Sequence, residues 1–399
     1  MLSITPAKSV MKIAFLCQAL FMLTISAPVR AADNLLIISI DGLRWQEVFR
    51  GYDANVLAEP EFEKHQKSIL HDLGAKTVEE KRHKLMPFLW RVMAKQGVMI
   101  GNRDNQSAME VSNTWWFSYP GYNEILTGKA DERVDSNKPV ANPNVTILEW
   151  LNQQKNYQNN VAAFGSWDVF PAIINQERSK LPINAGFMSA DWNDLSTKAT
   201  WLNALQKDIP SPWHNVRLDA FTVGFTQEYV KAKQPKVIYL ALGETDDFAH
   251  DGDYPAYLRS AHQSDVFIAR LWHMIQSMPQ YKNNTNLLIT VDHGRGNSNE
   301  TWQHHASPKA TRGYLSDLAK YKNGIEGSNQ VWMAALGPDI QPAGEVSNSE
   351  TYGLNQIAAT ALILLGQNPD EYAKINSKPI GKALPILKPK QAHNETIKN

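Results

Sequence analysis

Long apolar runs recur along the chain, and each of them ends in a short segment of polar residues, in three cases with a glycine. They are NLLIISID at 34–41, KVIYLALGETD at 236–246, NLLITVDHG at 286–294 and QVWMAALGPD at 330–339. Unbroken apolar runs are typical of parallel strands that are buried on both faces, and functional residues then stand at the carboxyl ends of the strands. The pattern predicts a strand at each of these four places.

Segments with a helical spacing of apolar residues separate the predicted strands. They are KLMPFLWRVMAKQG at 84–97, TILEWLNQQ at 146–154, DYPAYLRSAHQSDVFIARLWHMIQSM at 253–278 and TYGLNQIAATALILLG at 351–366. Shorter strands are predicted at VMIG, 98–101, and NVAAFGSW, 160–167. Strands that alternate with helices predict an α/β fold, a three-layer sandwich in which helices cover both faces of a mostly parallel central sheet.

The alternation breaks between residues 168 and 215. This stretch carries Trp192, Trp201 and Trp213 among scattered Pro and Asn residues, and we predict a cap region inserted into the fold there. The resulting organisation has three parts: an export signal over 1–31, a main domain over 32–378 that includes the cap, and a C-terminal tail over 379–399.

The first residues have the pattern of a secretory signal. Lys8 and Lys12 precede the apolar run IAFLCQALFMLTI at 13–25, and Val29 and Ala31 are the small residues of a cleavage site after Ala31. The run is short for a bilayer span, so a membrane anchor is the weaker alternative. The chain is therefore predicted to be secreted or periplasmic, with no membrane span in its mature part.

Composition narrows the partners and the chemistry. Lys plus Arg and Asp plus Glu are equal at 40 each, so the chain lacks the basic surplus of a nucleic-acid-binding protein. The single cysteine, Cys17, lies in the predicted signal. The mature protein then has neither a disulfide nor a thiol nucleophile, and its chemistry must use other side chains.

Acids and histidines stand at the ends of three predicted strands. They are Asp41, then Asp246 with His250, then Asp292 with His293. The carboxyl ends of parallel strands share one rim, so these side chains are expected to meet, and Asp with His is a good ligand set for zinc or manganese. Taken alone, each has a simpler alternative, such as a turn former or a solvated surface pair. The segment WQHHA at 302–306 adds further histidines.

Ser118 lies at the start of a predicted short helix in NTWWFSYPGYNEILTG, 113–128. Pro120 near the start and Gly128 at the end are typical helix boundaries, and a helix N-terminus favours anions. A bound dication would lower the pKa of the serine hydroxyl and make it a nucleophile. The alternative is a helix cap. Ser112 and Thr114 are rival nucleophiles, but neither stands at this helix start.

Five segments, in this order and spacing, resemble the motifs of the alkaline phosphatase superfamily, in particular its phosphodiesterase/nucleotide pyrophosphatase-like branch. They are IISIDG, SYPGYNEILTG, DDFAH, VDHGRG and WQHHA, within about residues 34–365. The resemblance implies an α/β metallohydrolase with two divalent metal ions, zinc or alternatively manganese. It also implies in-line attack on a phosphoryl or sulfuryl ester through a covalent enzyme intermediate.

Carried over residue by residue, the resemblance gives each of these side chains a role. Ser118 resembles the nucleophile that bridges the two metals. The ion that activates it would be held by Asp41, Asp292 and His293. The second ion would be held by Asp246, His250 and His305, and His305 is preferred to His304 because a small residue follows it.

Two departures from the family pattern bear on the substrate. Many of the diesterases have threonine as nucleophile and asparagine just after the proline, where this chain has Ser118 and Gly121. Asn123 is the candidate replacement for that phosphate-binding side chain, and Arg44 and Arg103 are candidates for the arginine that holds phosphate in monoesterases. No Cys-x-Pro-x-Arg sequence occurs, which argues against a formylglycine sulfatase.

We therefore predict an exported two-metal phosphoric ester hydrolase, a phosphodiesterase or a phosphomonoesterase, that acts on a small-molecule ester through a covalent phosphoserine. A phosphoryl-alcohol transferase and a phosphoglycerate-mutase-like enzyme of the same superfamily are the alternatives. The lack of further predicted membrane spans argues against the first of these, and the export signal argues against the second. A metal-stabilised binding module is the non-enzymatic alternative, which the complete nucleophile and ligand set disfavours.

Overall fold

The computed structural model describes residues 31–375 and 379–389 of the chain. The predicted signal over 1–31 lies outside the described residues apart from Ala31, and so do residues 376–378 and 390–399. In the described ranges, no helix has both the length and the apolar character that crossing a membrane requires.

Eleven strands form two sheets in the described part of the chain. They are β1 Asn34–Ile40, β2 Val98–Ile100, β3 Ala108–Glu110, β4 Val161–Gly165, β5 Ile183–Ala185, β6 Val237–Leu242, β7 Thr285–Thr290, β8 Gln330–Val331, β9 Met333–Leu336, β10 Gly344–Glu345 and β11 Thr351–Gly353. The main sheet has the order β10-β2-β9-β7-β1-β6-β4-β5, and a small sheet has the order β11-β3-β8.

The main sheet is mostly parallel, as the sequence predicts. Only β9 runs antiparallel to its neighbours there, β2 and β7, while the other pairs of the main sheet are parallel. Strand β1 lies between β6 and β7, with Ile40 opposite Leu242 and Ser39 opposite Thr290. All three strands are buried along their whole length, which explains their unbroken apolar sequences.

Helices lie on both sides of this sheet, so the α/β fold class is confirmed. The helices are α1 Trp45–Arg50, α2 Ala54–Leu57, α3 Glu63–Leu73, α4 Val78–Leu85, α5 Ala94–Gln96, α6 Ser118–Thr127, α7 Ile147–Gln153, α8 Phe170–Ile173, α9 Gln176–Ser179, α10 Thr197–Asp208, α11 Asp219–Lys233, α12 Glu244–His250, α13 Tyr254–Ser277, α14 Pro308–Thr311, α15 Gln356–Leu364 and α16 Pro369–Ala373. Single turns of other helix types add Pro60–Phe62, Leu89–Met93, Arg103–Asn105 and Ser316–Leu318.

Two predicted elements are divided in the structure. The helix expected over 84–97 is interrupted because α4 ends at Leu85, and Met86, which precedes Pro87, has the non-helical angles φ −130° and ψ 71°. A residue before proline is disfavoured in the helical region, so the helix breaks at Met86, resumes at Pro87 and continues into the π turn Leu89–Met93. The strand expected over 330–339 divides at Trp332, which is fully buried, into β8 of the small sheet and β9 of the main sheet.

The predicted cap and tail regions are partly built into the main body. Within 168–215, strand β5 extends the main sheet beside β4, and the rest is helices α8, α9 and α10 with their connections. Within the predicted tail, Leu384 and Ile386 are buried, and Leu387 forms a bridge with Ile340.

Candidate active site

The acids and histidines singled out in the sequence meet at one end of the three central strands. Asp41 follows β1, Asp292 follows β7 after one residue, and Asp246 lies in α12, which begins two residues after β6. Because β6 and β7 flank β1 in parallel register, their carboxyl ends place these carboxylates side by side.

The first group consists of Asp41, Asp292 and His293, and all three are buried. His293 Nε2 lies 3.3 Å from Asp41 Oδ1 and 3.4 Å from Asp292 Oδ2. Ser118 Oγ approaches the same nitrogen atom at 3.4 Å. The predicted nucleophile therefore stands at the first group, as the sequence analysis expects.

The second group consists of Asp246, His250 and His305. His250 Nε2 is 3.2 Å from Asp246 Oδ2 and 3.1 Å from His305 Nε2. Asp246 and His250 are one turn apart on α12, so both side chains lie on the same face of the helix. His250 is the exposed member, with 46% of its side chain accessible, and it leaves this group open to solvent.

The two groups adjoin each other and form one site. His293 Nε2 is 3.6 Å from Asp246 Oδ1, and the rings of His293 and His305 stack at a centroid distance of 3.8 Å. His304 lies outside both groups, half-buried with its ring 6.0 Å from that of Tyr321. The structure thus places His305, and not His304, with the other predicted ligands.

The residues of the first group fit a bound cation. Asp41 Oδ1 and Asp292 Oδ2 are buried oxygens without a hydrogen-bond donor among the described residues. Burial and the neighbouring Asp41 raise the pKa of Asp292 well above its usual range. Burial lowers the pKa of His293, but Asp292, Asp41 and Asp246 outweigh it and raise that pKa to about 9. Buried carboxylates this close together are stabilised by a shared proton or by a cation between them, so the first group fits a divalent ion.

The second group also has the protonation states of a cation site. Burial opposes ionisation of Asp246, but Arg295 and His250 outweigh it, so the pKa of Asp246 lies well below its usual range. Burial and the neighbouring His293 lower the pKa of His305 well below its usual range. An ionised carboxylate and a neutral imidazole are the forms that bind divalent metals.

Other contacts fix the orientation of these side chains. Tyr122 donates to Asp41 Oδ2 at 2.8 Å, and the Gly42 amide donates to Asp292 Oδ1 at 3.1 Å. Gly42 has φ +58°, and a Cβ there would stand 2.6 Å from Asp246 Oδ1, so this position requires glycine. His293 Nδ1 is 2.9 Å from the carbonyl of Gly294, which leaves Nε2 directed at the group.

Ser118 is the first residue of α6 and does not cap it. The N-cap position is Phe117, and no side chain caps this helix. The rival hydroxyls are engaged elsewhere, because Ser112 donates to Glu124 at 2.7 Å and Thr114 donates to Glu132 at 2.8 Å. The contacts of Ser118 therefore favour the nucleophile over the cap.

The helix start offers fewer amides to an anion than the sequence suggests. The Tyr119 amide donates to Asn137 at 3.0 Å, Pro120 has no N–H, and the Gly121 amide bonds to the Phe117 carbonyl at 3.1 Å. The absence of a side chain at Gly121 also has a cause, since a Cβ there would lie 2.1 Å from the Asp292 carbonyl oxygen. A bound anion would therefore depend mainly on cations held by the two groups.

The side chains of Asn123 and Arg44, which are expected to bind substrate, are directed to other partners in the structure. Asn123 is fully buried; its amide donates to the Lys129 carbonyl at 3.0 Å and accepts from Asn142 and Asn144. Arg44 is 1% exposed and binds Glu47 and the Gly296 carbonyl. The third candidate, Arg103, pairs with Glu110.

Two contacts of the site were missed in the sequence. Arg295 is buried and donates to both the carboxylate and the carbonyl of Asp246, and it lies in VDHGRG itself. Tyr122 is four residues after Ser118, so the helical repeat of α6 places both on one face. That spacing was the available signal for Tyr122.

Comparisons with known proteins bear on the family and on the fold. The Sulfatase family model matches residues 116–367. No curated protein matches the chain. Among solved structures, wild type alkaline phosphatase PafA aligns with a TM-score of 0.53 at 10% identity, over 85% of this chain and 97% of that one. That likeness shows the shared fold.

Two further solved structures align over similar lengths. The lipoteichoic acid synthase LtaP from Listeria monocytogenes gives a TM-score of 0.49 at 12% identity, over 85% of this chain and 73% of that one. The phosphonate monoester hydrolase SpPMH from Silicibacter pomeroyi gives 0.47 at 14% identity, over 84% of this chain and 73% of that one.

Proposed function

Because the chain belongs to the Sulfatase family, within the alkaline phosphatase superfamily, we propose that it is a two-metal phosphoric ester hydrolase with Ser118 as its nucleophile. The observation that carries the proposal is the position of Ser118 Oγ, 3.4 Å from His293 Nε2 at the first group. We propose further that residues 1–31 direct its export, so that it acts outside the cytoplasm on a small-molecule ester.

Two divalent ions, zinc or alternatively manganese, are proposed as cofactors. Asp41, Asp292, His293 and Ser118 would hold one ion, and the second group would hold the other. When bound, such ions supply Lewis acidity, which lowers the pKa of the nucleophile and offsets the charge that develops on the phosphoryl oxygens. Tyr122 keeps the Asp41 carboxylate oriented toward its ion through the hydrogen bond to Oδ2.

The reaction proposed for Ser118 proceeds in two steps. In the first, Oγ gives up its proton and bonds to phosphorus while the bond from phosphorus to the leaving oxygen breaks, and the alcohol leaves with a proton. In the second, the oxygen of a water molecule bonds to phosphorus, the bond from phosphorus to Oγ breaks, one water proton passes to Oγ, and the phosphate product leaves. The burial of Ser118, which is 5% exposed, holds the nucleophile in one position for both steps.

The cations of the site favour a singly charged ester. Among the described residues, Arg295 is the one arginine or lysine that pairs with a carboxylate of either group. Its Nη atoms already donate to Asp246 and to the Gln303 carbonyl. A dianionic monoester needs an additional cation, whereas a diester does not. We therefore propose a phosphodiesterase in preference to a phosphomonoesterase.

A sulfate ester, which also carries one charge, is the second candidate substrate because of the family match. The sequence at the nucleophile disfavours it. Ser118 occupies the place of the cysteine in Cys-x-Pro-x-Arg, and Tyr122 occupies the place of the arginine. Tyr122 is buried against Asp41 and cannot supply the missing positive charge.

Turnover of three matched nitrophenyl esters tests the proposal. The protein loaded with zinc or manganese is assayed with bis(4-nitrophenyl) phosphate, 4-nitrophenyl phosphate and 4-nitrophenyl sulfate, and chelated protein is the blank. We expect the highest kcat/KM for the diester and background rates for the sulfate. A faster sulfate reaction would establish the second candidate. Two bound ions with no turnover of any ester would instead indicate a binding module.

A further inference from the structure

One ring nitrogen of His305 is held by the backbone of the loop that precedes α6. His305 is 3% exposed, and its Nδ1 lies 3.1 Å from the carbonyl oxygen of Trp116. A carbonyl accepts, so this contact requires the proton on Nδ1 and leaves the lone pair of Nε2 free. That free atom is the one 3.1 Å from His250 Nε2 and 3.8 Å from Asp246 Oδ1.

The carbonyl that accepts from His305 belongs to a residue in an unfavourable conformation. Trp116 has φ +58°, in the left-handed region that residues with a side chain rarely adopt. Such a residue is less stable there by about 1–3 kcal/mol, and it persists only where its surroundings hold it. The orientation of His305 therefore depends on whatever stabilises this turn.

Asn113 stabilises the turn directly. Its Oδ1 accepts the amide of Trp115 at 3.0 Å and the amide of Trp116 at 2.9 Å. These two hydrogen bonds join the side chain to the backbone of the turn and hold Trp116 in its left-handed conformation. Asparagine is suited to this position because its short amide reaches backbone groups two and three residues ahead.

Asn113 is in turn fixed by Glu124 from α6. Glu124 Oε2 accepts the backbone and side-chain amides of Asn113, both at 3.0 Å, and Oε1 accepts from Ser112 and Asn355. Glu124 is fully buried and lies on the helix that begins with Ser118. One helix therefore carries the nucleophile at its start and, through Glu124, anchors the loop that orients His305.

We propose that Asn113 is a positioning residue for the second metal ion, because it holds Trp116 in the turn whose carbonyl directs His305 Nε2 into the second group. The inference rests on the proposed function, since it concerns an ion that the proposed hydrolase would bind. The affinity for the second ion depends on Asn113. The affinity for the first ion, at Asp41, Asp292 and His293, does not.

The test compares metal affinity in Asn113→Ala and a matched control. Asn102→Ala removes an asparagine with contacts of the same kind, because Asn102 accepts one backbone amide, that of Asp104, at 3.0 Å and donates to a glutamate, Glu345, at 2.7 Å. The two asparagines are also similarly buried, at 6% for Asn102 and 4% for Asn113. The affinity for each zinc ion is measured by chelator competition, with metal content and unfolding in urea measured in parallel.

We expect Asn113→Ala to bind the second ion about 10- to 100-fold more weakly, as losses of outer-shell partners do, and to keep the first. Asn102→Ala should lose similar stability and keep both ions. Asn113→Asp retains an oxygen for the two tryptophan amides but sets a second carboxylate against Glu124 in place of the amide donor, so it should recover only part of the affinity. If Asn113→Ala does not fold, Asn113→Ser replaces it. Its hydroxyl offers one oxygen to the two tryptophan amides, so the affinity for the second ion should fall by an intermediate amount.

The failures are distinguishable from one another. If the wild-type protein binds fewer than two ions or hydrolyses no ester, the proposed function is wrong. If the wild-type protein binds two ions and hydrolyses an ester, and Asn113→Ala binds both ions with normal affinity, the positioning role is wrong. A parallel loss of both ions in Asn113→Ala, or a loss of the second ion in Asn102→Ala as well, means that asparagine removal acts through general stability, and this also overturns the role.

Discussion

Replacing Ser118 with alanine should leave the fold nearly unchanged and remove the activity. The substitution keeps Cβ and deletes Oγ, whose recorded contact is the 3.4 Å approach to His293 Nε2. A contact of that length is at the weak end of hydrogen bonds, and α6 has no side-chain cap to lose. We therefore expect the free energy of unfolding to fall by less than about 1 kcal/mol.

The expected effect on catalysis is much larger. Removal of a catalytic nucleophile typically lowers turnover by several orders of magnitude. A loss of about 10⁴ corresponds to about 5 kcal/mol of transition-state stabilisation, several times the expected change in stability. The assay measures kcat/KM with bis(4-nitrophenyl) phosphate, unfolding in urea and bound metal on the same preparation.

Ser196→Ala is the matched control for this experiment. Ser196 is a true N-cap, which accepts the Ala199 amide at 3.0 Å at the start of α10 and donates to Glu228 at 2.7 Å. Its loss should lower stability by about 1 kcal/mol and leave turnover unchanged. Ser118→Ala with both ions bound and near wild-type turnover would refute the assignment of the nucleophile. Trapping a phosphoserine at Ser118 at low pH would support it.

Chelation should abolish turnover and lower the melting temperature, because ions that bind only the native state stabilise it, and full activity in metal-free protein would contradict the two-metal site. His305→Ala should reduce occupancy of the second ion, measured by metal analysis, far more than His304→Ala, and equal losses would contradict the ligand choice. Burial raises the pKa of Asp265 to about 7 in spite of hydrogen bonds from the Phe88 and Leu89 amides. The native state then binds the proton more tightly than the unfolded chain, so the free energy of unfolding should fall as pH rises from about 4 to about 7. Denaturation across that range should show a smaller slope for Asp265→Asn, and an unchanged slope would exclude this cause.

The central sheet and the acids and histidines at its strand ends could be predicted because they obey strong physical rules, whereas His305 was predicted from the resemblance of WQHHA to the family motif. Strands buried on both faces are mostly apolar, and their carboxyl ends meet at one edge of a parallel sheet. The helix over 84–97 was predicted without a break because its apolar spacing continues through Pro87, whose local restriction on Met86 outweighs the spacing.

Side-chain direction was the part that the sequence could not supply. Asn123 lies close to Ser118 in sequence, yet its amide is directed into a buried network with Asn142 and Asn144. Arg44 follows Asp41 closely, yet it turns to Glu47 in the interior. Proximity to a motif places a residue near a site, but the partners available on each face decide whether its polar atoms reach the site.

The arrangement of strands β6, β1 and β7 also bears on when the site forms. An unfolded chain holds only fragments of it, such as Asp292 beside His293, because the other members are far apart in sequence. The complete site, with both groups, exists once β1 has been inserted between β6 and β7. This insertion pairs segments that are distant in sequence. Because a pairing of distant segments is slow to form, we expect ions to bind this site after the rate-limiting step of folding. The ions should therefore leave the refolding rate nearly unchanged and lower the unfolding rate, so that they lengthen the lifetime of the native protein.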